Sequence, residues 1–354
     1  MRRFFAASKR GFSSLPVLDV GPFLGGSKAS REEVARKLDE VCSSVGFFYL
    51  EGHGIPRAEV QQLHRLARDF FAQPQGLKDK LRLSDEPERW RGYQRLGDNV
   101  TLGQRDWHEA LDFYAEDAVQ PAVFREVGKM APAEVDRLLR FAKSGNRWPQ
   151  AREFREAFEA YFARLESLGK LLMEAMALGL GLAPQHFESF TDRSFWVARV
   201  IGYPPLPRAA DVGLSCGEHS DYGCWTILSQ DETRDALEVR FPDGSWQKVQ
   251  PREDAFVINL GDMLSVWTQG RYVATRHRVR QTAGQFRTSV AFFYEPNLDA
   301  VIRPLDLGLA SPQSGRSFKP AASTGPLARG LAGGPVVYGE HLYAKVSSNF
   351  NLQA

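Results

Sequence analysis

Two histidines and one aspartate in this 354-residue chain have the types and spacing of a metal-binding site. His219 and Asp221 are separated by one residue, and His277 follows further along the chain. Residues two apart on an extended strand project to the same side, so His219 and Asp221 could reach one ion together. Two histidines and one carboxylate leave open positions on Fe(II) for oxygen chemistry. Zinc accepts the same ligand types, so this triad alone leaves the metal open.

An arginine and a serine that follow His277 favour iron over zinc. Arg287 and Ser289 are two positions apart at the start of an apolar run, so they would face the same way on a strand. A buried guanidinium must be paired, and its planar geometry suits bidentate binding of a carboxylate. The pair therefore predicts an anchor for an oxo-acid cosubstrate beside the metal.

With these motifs in order, the chain resembles the isopenicillin N synthase-like family of Fe(II)/2-oxoglutarate-dependent dioxygenases. The family's pattern is H-x-D, then H, then R-x-S, and all three occur here. The resemblance extends to residues 15–19, which look like the family's opening strand, and to residues 46–55, which look like its N-terminal signature. It also includes residues 338–340, which look like part of its C-terminal helix.

The resemblance implies a role for each candidate site residue. The residues implied to hold Fe(II) are His219, Asp221 and His277. The residues implied to bind 2-oxoglutarate are Arg287, Ser289 and Tyr203. The residues implied to line the substrate pocket are Phe293, Trp225, Arg91 and Tyr93. O2 would be the second cosubstrate, and ascorbate could act as a reductant.

The residue pattern and the resemblance predict a mostly β protein with flanking helices, of α+β class. Its core would be a double-stranded β-helix (jelly-roll), because short runs rich in Val, Ile, Phe, Thr and Trp recur between turn signals. The predicted core strands are 195–203, 226–229, 237–241, 246–249, 255–259, 277–280 and 289–294. The alanine- and leucine-rich segment 152–180 is predicted to be a scaffold helix packed on this barrel.

Three parts of the chain are expected from these patterns. Residues 1–14 form a basic tail or a transit peptide, and residues 15–150 form an N-terminal α/β region. Residues 151–354 would form the catalytic jelly-roll core with the scaffold helix and a C-terminal helix.

Composition indicates a globular protein in a reducing compartment. The three cysteines do not suggest a disulfide framework. Residues 1–14 are rich in arginine, lysine and serine and contain no acid, which is typical of a mitochondrial transit peptide; a cytoplasmic protein with a basic tail is the alternative. The net charge of +2 gives no argument for nucleic-acid or membrane binding, so a small-molecule substrate is expected. The oligomeric state cannot be inferred.

The predicted activity is hydroxylation or desaturation of a small organic molecule, with release of succinate and CO2. The alternative is a same-fold iron oxidase that closes a ring or forms ethylene without consuming 2-oxoglutarate. A non-catalytic binding protein and a zinc hydrolase are two further hypotheses. The identity of the substrate is not encoded in any motif of the chain.

Overall fold

The computed structural model describes residues 14–82, 90–115, 121–206, 214–281, 284–307 and 325–349. The predicted tail or transit peptide, except for Ser14, lies outside the described residues. None of the helices in these ranges is long and apolar enough to cross a membrane.

Strands and helices alternate in the first half of the chain, and strands dominate the second half. The strands are β1 (Val17–Asp19), β2 (Phe47–Glu51), β3 (Gly92–Gln94), β4 (Val100–Thr101), β5 (Gln104–Arg105), β6 (Glu109–Tyr114), β7 (Val197–Tyr203), β8 (Cys216–His219), β9 (Trp225–Gln230), β10 (Leu237–Arg240), β11 (Trp246–Val249), β12 (Phe256–Leu260), β13 (His277–Val279), β14 (Arg287–Tyr294), β15 (Val301–Ile302) and β16 (Val336–Val337). The helices are α1 (Gly21–Gly25), α2 (Lys28–Cys42), α3 (Arg57–Phe71), α4 (Gln75–Lys78), α5 (Pro121–Glu126), α6 (Pro132–Lys143), α7 (Arg152–Gly179), α8 (Glu188–Thr191), α9 (Asp262–Trp267), α10 (Gly325–Leu331) and α11 (Tyr338–Asn349). A short 3-10 helix covers Asp79–Leu81.

Two sheets form the jelly-roll. The large sheet has eight strands in the order β1-β2-β12-β9-β14-β7-β6-β3, and the small sheet has four in the order β11-β10-β13-β8. Every pairing within these two sheets is antiparallel except that of β1 with β2. An apolar cluster shared by the two sheets includes Phe47, Tyr49, Ile201 and Val257 from the large sheet and Leu237, Val239 and Val279 from the small one. The predicted α+β jelly-roll is therefore the observed fold.

The outer face of the large sheet is covered by helices, of which α7 is the longest. Its buried residues join the main hydrophobic core together with Ile227 of β9 and Phe292 of β14. Gly169 of α7 allows a close approach, because a β-carbon there would lie 2.3 Å from the Tyr294 ring. This helix agrees with the scaffold helix predicted for residues 152–180.

Candidate active site

The two predicted histidines and the aspartate come together between the sheets. His219 ends β8, His277 begins β13, and the two residues are register partners with ring centroids 4.2 Å apart. Asp221 lies just after β8 rather than on it, which corrects the expectation that one strand carries both members of the H-x-D motif. Its Oδ1 atom is 3.4 Å from His219 Nε2 and 3.7 Å from His277 Nε2. One ion could therefore contact all three side chains.

Backbone carbonyls orient both imidazole rings. His219 Nδ1 lies 2.8 Å from the Gly217 carbonyl oxygen, and His277 Nδ1 lies 3.2 Å from that of Thr275. A carbonyl can only accept a hydrogen bond, so each Nδ1 carries a proton and Nε2 is the ring atom that remains to bind a metal. Burial lowers the pKa of His277 to about 4, and the neighbouring His219 adds to this shift. The His277 ring is thus neutral near pH 7, as a metal ligand must be.

The two oxygens of Asp221 have different surroundings. Oδ2 accepts hydrogen bonds from the Thr226 hydroxyl and from Asn259 Nδ2, the latter at 2.6 Å, whereas Oδ1 faces the histidines. Burial acts to raise the pKa of this carboxyl, but His277 and His219 outweigh it and hold the pKa below its ordinary value. The carboxylate is therefore ionised, with one oxygen directed towards the position that an ion would take.

The backbone around Asp221 is held by the start of α9. The Asp262 amide donates to the Asp221 carbonyl at 2.8 Å, and the Ser220 hydroxyl donates to Asp262 Oδ1 at 3.0 Å. Gly223 and Gly261 permit this contact, because a β-carbon on Gly261 would lie 2.3 Å from the Gly223 carbonyl oxygen. A rigid connection therefore sets the position of the carboxylate.

Arg287 provides a buried cation with unused donors. It is 1% exposed, its Nη2 donates to Gln230 Oε1 at 3.2 Å, and its guanidinium lies 4.7 Å from the Tyr203 ring centroid. Within the described ranges, its Nε and Nη1 and the Ser289 hydroxyl have no hydrogen-bond partner. Leaving such donors unpaired is costly, so the site fits an anion such as the far carboxylate of 2-oxoglutarate.

Strand register places the remaining candidate, Phe293, close to the triad. Ser289 pairs with Gln230 and Phe293 pairs with Thr226, so all of them share one face of the large sheet with Arg287. Because Thr226 binds Asp221, Phe293 lies beside the triad on the inner face. This position is compatible with its predicted role in the substrate pocket.

Two other predicted pocket residues lie on the opposite face of the large sheet. Trp225 is fully buried, and its Nε1 donates to the Met173 sulfur of α7 at 3.1 Å. Tyr93 donates to Glu109 Oε2 at 2.5 Å and has the Lys78 ammonium 5.4 Å from its ring centroid. Both therefore pack in the helix layer, and the structure does not bring them to the triad.

Arg91 is also held away from the triad, near α6. Its guanidinium donates to the Tyr114 and Ala115 carbonyls at 2.7 and 2.8 Å and to Asn146 Oδ1 at 2.9 Å. The side chain is 1% exposed. It ties β6 to the end of α6, so the pocket prediction is not retained for it.

A second cluster of metal-binding residue types, which no sequence motif indicated, lies beside β8. Asp106, His108 and Cys216 have ligand atoms within 4.8 Å of one another. His108 Nδ1 lies 2.6 Å from the Ser215 carbonyl, and Asp106 Oδ1 accepts from the Gly217 amide at 2.8 Å. These bonds anchor β8, which carries His219. The signal in the sequence is the polar run around residue 106.

Comparisons with known proteins agree with this geometry. The family model for the 2OG-Fe(II) oxygenase superfamily matches residues 193–296, and the one for the N-terminal region of non-haem dioxygenases in morphine synthesis matches residues 15–150. A homoarginine-6-hydroxylase from Glycine max is 35% identical over 353 residues, covering 96% of this chain and 98% of that protein. A homoarginine-6-hydroxylase from Arabidopsis thaliana is 36% identical over 358 residues, covering 96% of this chain and 99% of that protein.

A solved structure shows the same fold. A full-length protein from Neurospora crassa, crystallised in complex with α-KG and 5-formyluracil, matches with a TM-score of 0.75 at 23% identity, covering 95% of this chain and 96% of that one. Together with the family and sequence matches, this likeness extends over almost the whole chain. The chain therefore belongs to the 2-oxoglutarate- and Fe(II)-dependent dioxygenases, and it is an oxidoreductase that uses Fe(II) as cofactor and 2-oxoglutarate as cosubstrate.

Proposed function

We propose that this dioxygenase hydroxylates a small amino acid with a guanidinium side chain, with homoarginine as the first compound to test. The hydroxylation chemistry is supported by one observation above all, the triad of ligand atoms beside a buried, incompletely paired Arg287. The substrate class is supported by the two plant relatives, which are homoarginine-6-hydroxylases and match nearly full length.

Three side chains would hold the iron. His219 and His277 would contribute Nε2, and Asp221 would contribute Oδ1, since the other polar atoms of these side chains are already hydrogen-bonded. Bound Fe(II), with O2 and 2-oxoglutarate, supplies the oxidising power to convert a C–H bond into C–OH while 2-oxoglutarate becomes succinate and CO2. The three side chains would occupy part of the coordination sphere of the ion and leave the other positions open for 2-oxoglutarate and O2.

Arg287 and Ser289 would orient 2-oxoglutarate. Two unpaired guanidinium N–H groups and one hydroxyl can donate to its far carboxylate, which directs the keto-acid end towards the triad. The Tyr203 ring supports the guanidinium plane from one side. Because the arginine is buried, the carboxylate would bind in a water-poor environment where this interaction is strong.

Phe293 would help to place the substrate. Its ring stands on the inner face of β14, next to the Thr226 that supports Asp221. An apolar wall here would exclude water and hold an aliphatic chain over the reacting position. Holding one carbon near the oxidant is what selects the C–H bond that is attacked.

The alternative of an oxidase that does not consume 2-oxoglutarate has less support. It would leave the Arg287 donors without a carboxylate. Desaturation instead of hydroxylation remains compatible with the same residues, and product analysis distinguishes the two reactions.

Succinate formation tests the proposal. Anaerobically purified protein is supplied with Fe(II), ascorbate, 2-oxoglutarate and O2, with and without homoarginine. We expect homoarginine to stimulate succinate release and to be consumed in equal amount. His219→Ala should lower the rate by at least about 100-fold, since an incomplete ligand set cannot support the chemistry. His186→Ala, which removes a histidine outside the triad that packs against Phe187, is the matched control.

Two results would contradict the proposal in different ways. Succinate no higher than in His219→Ala, from protein that binds iron and is supplied with homoarginine and a pool of other small amino acids, would refute the proposed consumption of 2-oxoglutarate. Succinate release that homoarginine fails to stimulate, with another substrate active, would refute only the substrate class.

A further inference from the structure

Glu295 is a buried carboxyl group that forms no ion pair with a residue that the structure describes. It follows β14 directly, is 3% exposed, and lies two residues beyond Phe293, so continued alternation directs it to the inner side of the sheet. Its Oε2 atom is buried and makes no hydrogen bond to any residue that the structure describes. A bound cation would stabilise the carboxylate form of this acid, because burying a carboxylate without a cation is unfavourable.

Outside the triad, the other buried acids among the described residues have cations except Asp106, whose two oxygens accept hydrogen bonds from the Thr101 hydroxyl at 2.7 Å and the Gly217 amide at 2.8 Å. The pairs are Asp112 with Arg199, Glu109 with Lys78, Asp231 with Arg68, and Glu238 with Arg278. Asp262 has His341 Nε2 and Lys345 Nζ each 3.4 Å from its Oδ2. Among the described residues, Glu295 has neither a cation nor a hydrogen bond at its buried Oε2, so it is a carboxyl group suited to an external cation.

Glu295 lies beside the metal-binding triad. Its Oε2 lies 1.0 Å from the position that a β-carbon on Gly223 would take, so the carboxyl group packs directly on this glycine. Gly223 is two residues from Asp221 in the sequence. The buried hydroxyl of Tyr338, from α11, lies beside the Glu295 carboxyl. Burial raises the pKa of the Glu295 carboxyl to about 8, and the Tyr338 hydroxyl beside it opposes the rise. A buried acid without a cation, supported by a hydroxyl, thus lies next to the triad.

The chemistry of the proposed substrate favours an anion at this place. In homoarginine, carbon 6 is bonded directly to a guanidino nitrogen. When that carbon faces the oxidant, the guanidinium is only one bond further away, so the group that binds it must lie next to the triad. A carboxylate binds a guanidinium through two parallel hydrogen bonds.

We infer that Glu295 is a specificity-determining residue that binds the guanidinium group of the substrate. This inference rests on the proposed function and adds the residue that recognises the cationic end. The Tyr338 hydroxyl would donate a further hydrogen bond to the carboxylate and hold it towards the substrate. The bound guanidinium would then be the cation that Glu295 lacks.

The test compares homoarginine with homocitrulline, which has a neutral urea in place of the guanidinium at the same chain length. Wild-type enzyme should favour homoarginine in kcat/KM by at least about 100-fold. Glu295→Gln keeps the shape but removes the charge, and should reduce that preference to below about 10-fold, mainly through a higher KM for homoarginine. Glu295→Asp keeps the charge and should give an intermediate preference.

Binding provides a readout that does not depend on turnover. Calorimetry without O2, with Mn(II) in place of Fe(II) and 2-oxoglutarate present, should show homoarginine binding weakened by at least about 30-fold in Glu295→Gln. The Kd of 2-oxoglutarate should not change. Glu174→Gln is the matched control, because Glu174 belongs to α7 and pairs with Arg31.

The failures of the two proposals are distinguishable. If wild-type enzyme turns over homoarginine and Glu295→Gln keeps the full preference, the role of Glu295 is refuted while the function stands. Wild-type enzyme that does not prefer homoarginine over homocitrulline also overturns the inference. If wild-type enzyme shows no homoarginine-dependent succinate, the substrate class fails before any variant is compared.

Discussion

At the scale of single residues, hydrogen bonds decide which atoms are available to an ion. Asp221 has four lone-pair positions, and Thr226 and Asn259 occupy those on Oδ2. Oδ1 is left to face His219 and His277. Such supporting residues tune metal affinity although they never contact the metal.

Thr226→Val tests this support, because it removes the hydroxyl and keeps the shape. We expect Mn(II) to bind about 10–100-fold more weakly, since Asp221 loses one of the two donors that orient it. Calorimetric titration of the metal-free protein measures the change. Thr191→Val, which removes a buried hydroxyl bonded to the Phe187 carbonyl in α8, should leave the Kd unaltered. Equal affinity for wild type and Thr226→Val would show that the hydroxyl does not position the carboxylate.

The meeting of particular side chains was easier to predict from the sequence than the sheet face on which each side chain lies. His219, Asp221 and His277 are brought together as expected from their spacing. Trp225 was expected in the pocket, but it points to Met173. Strand β9 is covered on both faces, so its sequence shows no clear alternation of apolar and polar residues, and the side facing the barrel interior cannot be read from it.

At the scale of elements, apolar strands of the core could be predicted from the sequence. Strands that carry buried polar residues could not. The predicted strand at 246–249 coincides with β11. Strands β3 and β6 were not predicted, because Gln94 and Asp112 are buried polar residues that disrupt the expected pattern. These two residues hydrogen-bond to each other and to Arg199, and only the folded sheet supplies these partners.

The packing of α7 on the sheet gives a prediction at this scale. Gly169→Ala would place a methyl group 2.3 Å from the buried Tyr294 ring. We expect the free energy of unfolding to fall by about 1–3 kcal/mol despite the better helix propensity of alanine, because the core has no room for the extra atom. Chemical denaturation measures it.

Gly76→Ala in α4 is the control, since no atom lies within 4 Å of its added β-carbon. It should be neutral or stabilising by up to about 1 kcal/mol. A Gly169→Ala protein as stable as wild type would mean that α7 is not tightly seated on β14.

At the scale of the whole molecule, the candidate site depends on segments that are far apart in sequence. β12 pairs with β2 from the N-terminal part, and β7 lies between β6 and β14. The triad spans the small sheet and the connection that follows β8, while Arg287 belongs to the large sheet. No single segment of the chain could therefore assemble the site, and ligands that bind across it should stabilise the entire fold.

Thermal unfolding with ligands tests this coupling. A ligand that binds only the folded protein stabilises it by about 2.7 kcal/mol at 100 times its Kd. Mn(II) should raise the Tm of wild-type protein, and 2-oxoglutarate should raise it further once the metal is present. His277→Ala should lose both increases, since the keto-acid end of 2-oxoglutarate needs the metal.

Arg287→Gln should keep the increase due to Mn(II) and lose most of the increase due to 2-oxoglutarate, because the far carboxylate of 2-oxoglutarate loses its charged partner. If Arg287→Gln retained both increases, 2-oxoglutarate would bind elsewhere, and the large sheet would have no part in holding it.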